Sequence, residues 1–113
     1  MSVRVFAAAA LFGAAASVFA ADQPASAANA MAIARSNACM GCHAIDRKLV
    51  GPSFQQIAEK YKGQADANAR LEKKVKSGGS GVWGPIPMPS HPRMNDADIK
   101  TVVAWVLAGA PQK

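Results

Sequence analysis

The sequence predicts an all-α domain of four to five short helices wrapped around a bound group, and three observations point there. No stretch carries a convincing strand pattern. Several helix-forming stretches are opened by a capping residue and closed by glycine or proline. The helices are short and the domain small, so side chains alone would make a marginal core.

The elements follow in chain order. Arg4 precedes an apolar run from Val5 to Val18, and Val18-Phe19-Ala20 offers small residues at the positions a signal peptidase inspects. Residues 1–20 are expected to be a cleaved signal peptide and 21–113 the mature domain. The run is short for a bilayer span and Asp22-Gln23-Pro24 follows at once, so stable membrane insertion is not expected. Cleavage after Ala20 leaves 93 residues. Of 13 Lys+Arg only Arg4 lies before the cleavage point, and all 7 Asp+Glu lie after it, leaving 12 against 7, or +5. Such charge suits nucleic acid, an anionic surface or an acidic protein. Export and the single Tyr, with no basic run interleaved with aromatics, disfavour nucleic acid.

Ala25 to Asn37 is Ala-rich and reads as the first helix. Leu49-Val50-Gly51-Pro52 reads as a loop, after which Ser53 caps a helix from Phe54 to about Tyr61, stopped by Gly63. A third helix opens at Asp66 or Ala67 and runs to about Lys76, where Ser77-Gly78-Gly79-Ser80-Gly81 ends it. Four prolines between Gly84 and Pro92 forbid regular helix. Asn95 caps the last helix, with Asp96 and Asp98 in its first turn. Its apolar stripe is Ile99, Val102, Val103, Val106 and Leu107, and Gly109 and Pro111 close it.

Both cysteines fall in Cys39-Met40-Gly41-Cys42-His43, the Cys-x-x-Cys-His pattern of c-type haem attachment. Two thiols must add to two vinyl groups of one porphyrin, and two intervening residues let one turn of chain present both sulfurs. His43 is then placed to bind iron as the proximal ligand. A structural disulfide, a thioredoxin-like dithiol and a zinc site compete. The dithiol calls for a βαβ pattern that is missing, and zinc would need Cys39, Cys42, His43 and His91 at a spacing unlike a finger's. A haem would also supply the core this short chain lacks, so the apo-protein is expected to be poorly folded.

For the sixth iron ligand Met88 is the leading candidate, since its proline-rich segment has no other evident purpose and prolines stiffen the loop that would hold it. Met94, at the edge of the last helix, is the rival and reads rather as core. His91 would give bis-His ligation, and Met40 lies inside the attachment turn.

The chain resembles the short bacterial class I cytochromes c of the cytochrome c-551 type over nearly the whole mature region. The likeness rests on Cys-Met-Gly-Cys-His-Ala-Ile-Asp (39–46), Leu-Val-Gly-Pro (49–52), Gly-Val-Trp-Gly-Pro-Ile-Pro-Met-Pro (81–89) and Ala-Trp-Val-Leu (104–107). It implies one haem c on two thioethers, Met88 as distal ligand, and a Pro52 carbonyl that accepts from His43 Nδ1. It also implies that Trp83 and Lys74 hydrogen-bond a haem propionate. His91 stands where many members carry an Asn that donates to the Met sulfur, Lys74 where some carry Arg, and Ala34 where an aromatic is frequent. That last change predicts weaker packing of the first helix on the last.

The implied function is a periplasmic, monomeric electron carrier and not an enzyme. Its implied donors are of the quinol–cytochrome c oxidoreductase kind, and its acceptors a nitrite reductase, a terminal oxidase or a peroxidase. Arg47, Lys48, Lys60, Lys62, Lys73, Lys74 and Lys76 can steer an acidic partner. The alternatives are a haem protein with an open distal side that binds a small ligand, and a haem subunit docked in a larger complex.

Overall fold

The computed structural model describes residues 26–113, so the expected signal peptide lies outside the described residues. Four α-helices follow in order: α1 (Ala27–Ser36), α2 (Phe54–Tyr61), α3 (Ala67–Ser77) and α4 (Asp96–Leu107). A single 3₁₀ turn, Cys39–Gly41, lies between α1 and α2. Among the described residues there are only two isolated antiparallel bridges, His43 with Lys48 and Gly79 with Met88.

Caps set the helix ends. Ser26 takes the N-cap of α1, accepting from the Asn29 N–H at 3.2 Å, so the helix begins two residues later than the alanine content suggests. Ser53 and Gln56 form a reciprocal capping box on α2: the Gln56 N–H donates to Ser53 Oγ at 3.0 Å and the Ser53 N–H to Gln56 Oε1 at 2.9 Å. Asn95 caps α4 by accepting from the Asp98 N–H at 2.8 Å.

The last helix is the centre of the fold and packs against α1, α2 and α3. That explains a departure from the expected stripe: Trp105, outside the i, i+3, i+4 pattern, is buried, while Leu107 is only half-buried. A helix with neighbours on three sides buries more than one stripe. Trp105 Nε1 donates to the Pro111 carbonyl at 2.8 Å, so its polar edge is satisfied. Ala30 and Ala34 are wholly buried in the same cluster as Phe54, Ile57, Tyr61, Val102 and Trp105. Small side chains there bring the α1 backbone close to its neighbours, where an aromatic would need room. Met94 sits in a second cluster with Ile99 and Val103, as the core reading expects.

Ala38, between α1 and the 3₁₀ turn, is left-handed at φ 60°. That region costs an L-residue roughly 1–2 kcal/mol, and glycine escapes the cost while losing about 0.5–1 kcal/mol to unfolded-chain entropy. Ala38→Gly should therefore stabilise the protein by about 0.5–1 kcal/mol, raising Tm by a few degrees in a thermal melt.

Candidate functional site

The turn at Cys39–Gly41 places the chemistry. The N–H groups of Cys42 and His43 both donate to the Cys39 carbonyl, at 3.2 and 3.0 Å, folding the motif so that Cys39, Cys42 and His43 line one cavity. Cys39 and Cys42 are not joined to each other as a disulfide. Burial pushes the Cys39 thiol up, a hydrogen bond from its own backbone pulls it partly back, and the charge of Cys42 raises it again. A disulfide oxidoreductase needs the opposite, a thiol lowered toward thiolate, so the dithiol reading loses its chemistry as well as its fold.

His43 is held on several sides. Its Nδ1–H donates to the Pro52 carbonyl at 2.6 Å, which leaves Nε2 as the nitrogen with a free lone pair. Phe54 stacks on the imidazole, with ring centroids 5.3 Å apart and planes within 20°, and meets Trp105 edge-on at 5.4 Å. Gly51 approaches the other atoms of the ring: a Cβ there would stand 2.7 Å from His43 Cε1 and 3.0 Å from Nδ1. No side chain fits without moving the imidazole. The supporting segment is laced to the motif by Gly51 N–H to Cys42 O at 2.8 Å and Phe54 N–H to Ala44 O at 2.9 Å. The roles of Gly51 and Phe54 escaped the sequence reading, although the Leu-Val-Gly-Pro segment marked their neighbourhood.

The proline loop brings Met88 to the same cavity. As its prolines predicted, the segment is not helical, and it is anchored by one isolated bridge. Met88 and Gly79 exchange both backbone bonds, Met88 N–H to Gly79 O at 2.9 Å and Gly79 N–H to Met88 O at 3.0 Å. The pairing is possible because Met88 keeps its own N–H between Pro87 and Pro89. Neighbouring Gly78, at φ 69°, lies so close that a Cβ would stand 2.5 Å from the Met88 carbonyl oxygen. The glycine run that ends α3 is therefore also the seat of the Met88 loop.

The cavity measures about 400 Å³ and its walls are mostly apolar, drawn from α2, α3, α4 and both loops. Every predicted site residue lines it: Cys39, Cys42, His43, Pro52, Lys74, Trp83 and Met88. Trp83 lies under the Lys60 ammonium, whose Nζ is 5.2 Å from the ring centroid. Neither rival distal ligand lines the cavity: Met94 is buried in the core, and both ring nitrogens of His91 face backbone carbonyls. The same carbonyl contacts remove His91 from a Cys₂His₂ zinc set.

The donor set fits a covalently attached haem. It offers two thiols separated by two residues, an imidazole with Nε2 uncommitted, a thioether, and a cavity in the size range of cofactor sites. The cytochrome c family model matches residues 27–110. The chain belongs to the cytochrome c family. The relatives place it with the c-551 type. It is 46% identical over 74 residues to cytochrome c-551 of Pseudomonas aeruginosa, covering 66% of this chain and 70% of that one. It is 52% identical over 73 residues to cytochrome c-551 of Azotobacter vinelandii, covering 65% and 88%. The crystal structure of wild-type Nitrosomonas europaea cytochrome c552 superposes with TM-score 0.68 at 43% identity, over 70% of this chain and 98% of that one. As a cytochrome c of this type, the chain carries electrons and is not an enzyme.

Proposed function

We propose that this cytochrome c is exported through a signal peptide at residues 1–20 and shuttles single electrons in the periplasm as a monomer. The reading assigns the haem to thioethers at Cys39 and Cys42, with His43 and Met88 as axial ligands. The observation that carries it is the convergence of those four side chains on one apolar cavity. A bound haem would supply one-electron Fe(III)/Fe(II) chemistry, with the thioether favouring the reduced state.

The residues present the means to hold that group and keep it from other chemistry. The Pro52 carbonyl fixes the His43 tautomer, and Phe54 and Gly51 fix the ring plane. The Gly79–Met88 bridge and the flanking prolines hold the Met88 loop, and with His43 and Met88 both given to iron, no ligand position would be left for a substrate. The mostly apolar walls would keep water from much of that group. Trp83 and Lys74, both on the cavity wall, would be the donors to the propionates.

Around the cavity lies an exposed apolar rim, with Val50 52%, Trp83 44% and Ile86 64% exposed. Among the described residues no helix is long and apolar enough to cross a membrane. The rim and the surrounding lysines suit a transient acidic partner: a quinol–cytochrome c oxidoreductase as donor, and a nitrite reductase, terminal oxidase or peroxidase as acceptor. Stopped-flow electron transfer to such a partner should slow several-fold from low to physiological salt, as exposed charges are screened over about 8–10 Å. A rate flat with ionic strength contradicts the steering role of the basic surface.

A further inference from the structure

The Met88 loop is tied down, three residues further on, by a side chain that the site itself does not use. His91 is half-buried and does not line the cavity. Its backbone N–H donates to the carbonyls of Val75 at 3.1 Å and Lys76 at 3.3 Å, in the last turn of α3. Its ring Nδ1 faces the Val75 carbonyl at 3.3 Å, and Nε2 faces the Asn37 carbonyl at 3.2 Å, 54 residues away in sequence. Asn37 is the C-cap of α1, and its side-chain Nδ2 donates to Ile33 O at 2.9 Å. It stands two residues before Cys39.

The imidazole thus bridges the two segments that carry the proposed axial ligands: the loop of Met88 and the chain that enters the Cys39–His43 turn. A carbonyl oxygen only accepts, so each bond requires a proton on the ring nitrogen. A neutral imidazole holds one of the two carbonyls, and an imidazolium holds both. With both nitrogens facing carbonyls, neither is left to donate to the Met88 sulfur.

We infer that His91 is a positioning residue for the distal ligand, a strut that sets the distance between the Met88 loop and the attachment turn by bonding to backbone and not to sulfur. The inference rests on Met88 being the iron ligand. The loop is then pinned on one side by the Gly79 bridge and on the other by His91, with Pro89 stiffening the short link between. Loss of the strut lets the loop lift more often, which exposes the sixth position.

The test uses the haem-loaded protein and cyanide as probe. His91→Ala should bind cyanide about tenfold more tightly than wild type, the weight of a hydrogen bond, and His91→Gln, which keeps a donor, should recover most of the difference. Lys76→Met removes a neighbouring tie, Lys76 Nζ to Met94 O at 2.7 Å, and should lower Tm with cyanide affinity unchanged. Should His91→Ala fail to accumulate, long-range ¹H–¹⁵N spectra of the wild type answer the same question. A slowly exchanging His91 ring N–H supports the strut, and a freely exchanging ring overturns it. Cyanide affinity unmoved in His91→Ala, or raised equally in Lys76→Met, overturns the inference and leaves the Met88 assignment standing. A wild type without the long-wavelength sulfur-to-iron band overturns both.

Discussion

Replacing Met88 by alanine should abolish the weak long-wavelength sulfur-to-iron band of the oxidised protein and admit cyanide to the sixth position. The reduction potential should fall by on the order of 0.1 V, a fraction of the roughly 0.8 V over which axial ligands move haem potentials. The expectation follows from placement. Met88 lines the cavity with Cys39, Cys42 and His43, and its backbone is locked to Gly79 from both directions. Met94 is the matched control, 5% exposed in the cluster with Ile99 and Val103 and absent from the cavity wall. Met94→Ala should cost about 2–5 kcal/mol of stability, as core truncations do, and leave the band in place. If the band survives in Met88→Ala and disappears in Met94→Ala, the ligand assignment is wrong.

The largest loss of stability is expected at Phe54. This ring is 3% exposed, stacks on His43 at 5.3 Å and meets Trp105 edge-on at 5.4 Å. It is therefore the link between the proposed proximal ligand and the central helix α4. Truncation to alanine should cost about 3–5 kcal/mol, a large share of the total stability of roughly 5–15 kcal/mol that small domains have. At about 4–8 °C per kcal/mol, Tm should drop by at least ~12 °C. In the haem-loaded protein, the rotational freedom returned to His43 should also broaden the electron paramagnetic resonance of the oxidised iron, which a surface substitution such as Gln55→Ala would leave alone. A drop in Tm below about 4 °C would show that neighbouring side chains refill the space and that Phe54 is no keystone.

Much of this architecture could be read from short-range signals. Ser53 and Asn95 announce α2 and α4 because an N-cap acts on N–H groups two or three residues away, within reach of a sequence window. Cys39, Cys42 and His43 are contiguous for the same reason, since one turn of chain must present all three. Pro52, Trp83 and Lys74 came from the family resemblance and not from spacing, and the structure brings each of them to the cavity. What was illegible is long-range. The apolar stripe of α4 leaves Trp105 out, although the family resemblance marked it as a contact to the first helix, because its burial depends on three other helices meeting α4. The prolines around Met88 hid its pairing with Gly79, nine positions back. The closeness of Gly51 to the imidazole, and the reach of His91 to Asn37, exist only once the chain is folded. As a rival iron ligand, or as the residue standing where relatives carry a sulfur-donating Asn, His91 was ambiguous in sequence, and its ring nitrogens face carbonyls instead.

The central claim, one haem covalently held in an exported chain, is tested most directly by the intact mass of protein purified from the periplasm, read beside its pyridine haemochrome spectrum. The account predicts the mass of residues 21–113 plus one haem, with the spectrum of a haem joined through two thioethers. A mass equal to the bare polypeptide, or to the polypeptide less two hydrogens for a Cys39–Cys42 disulfide, would contradict it.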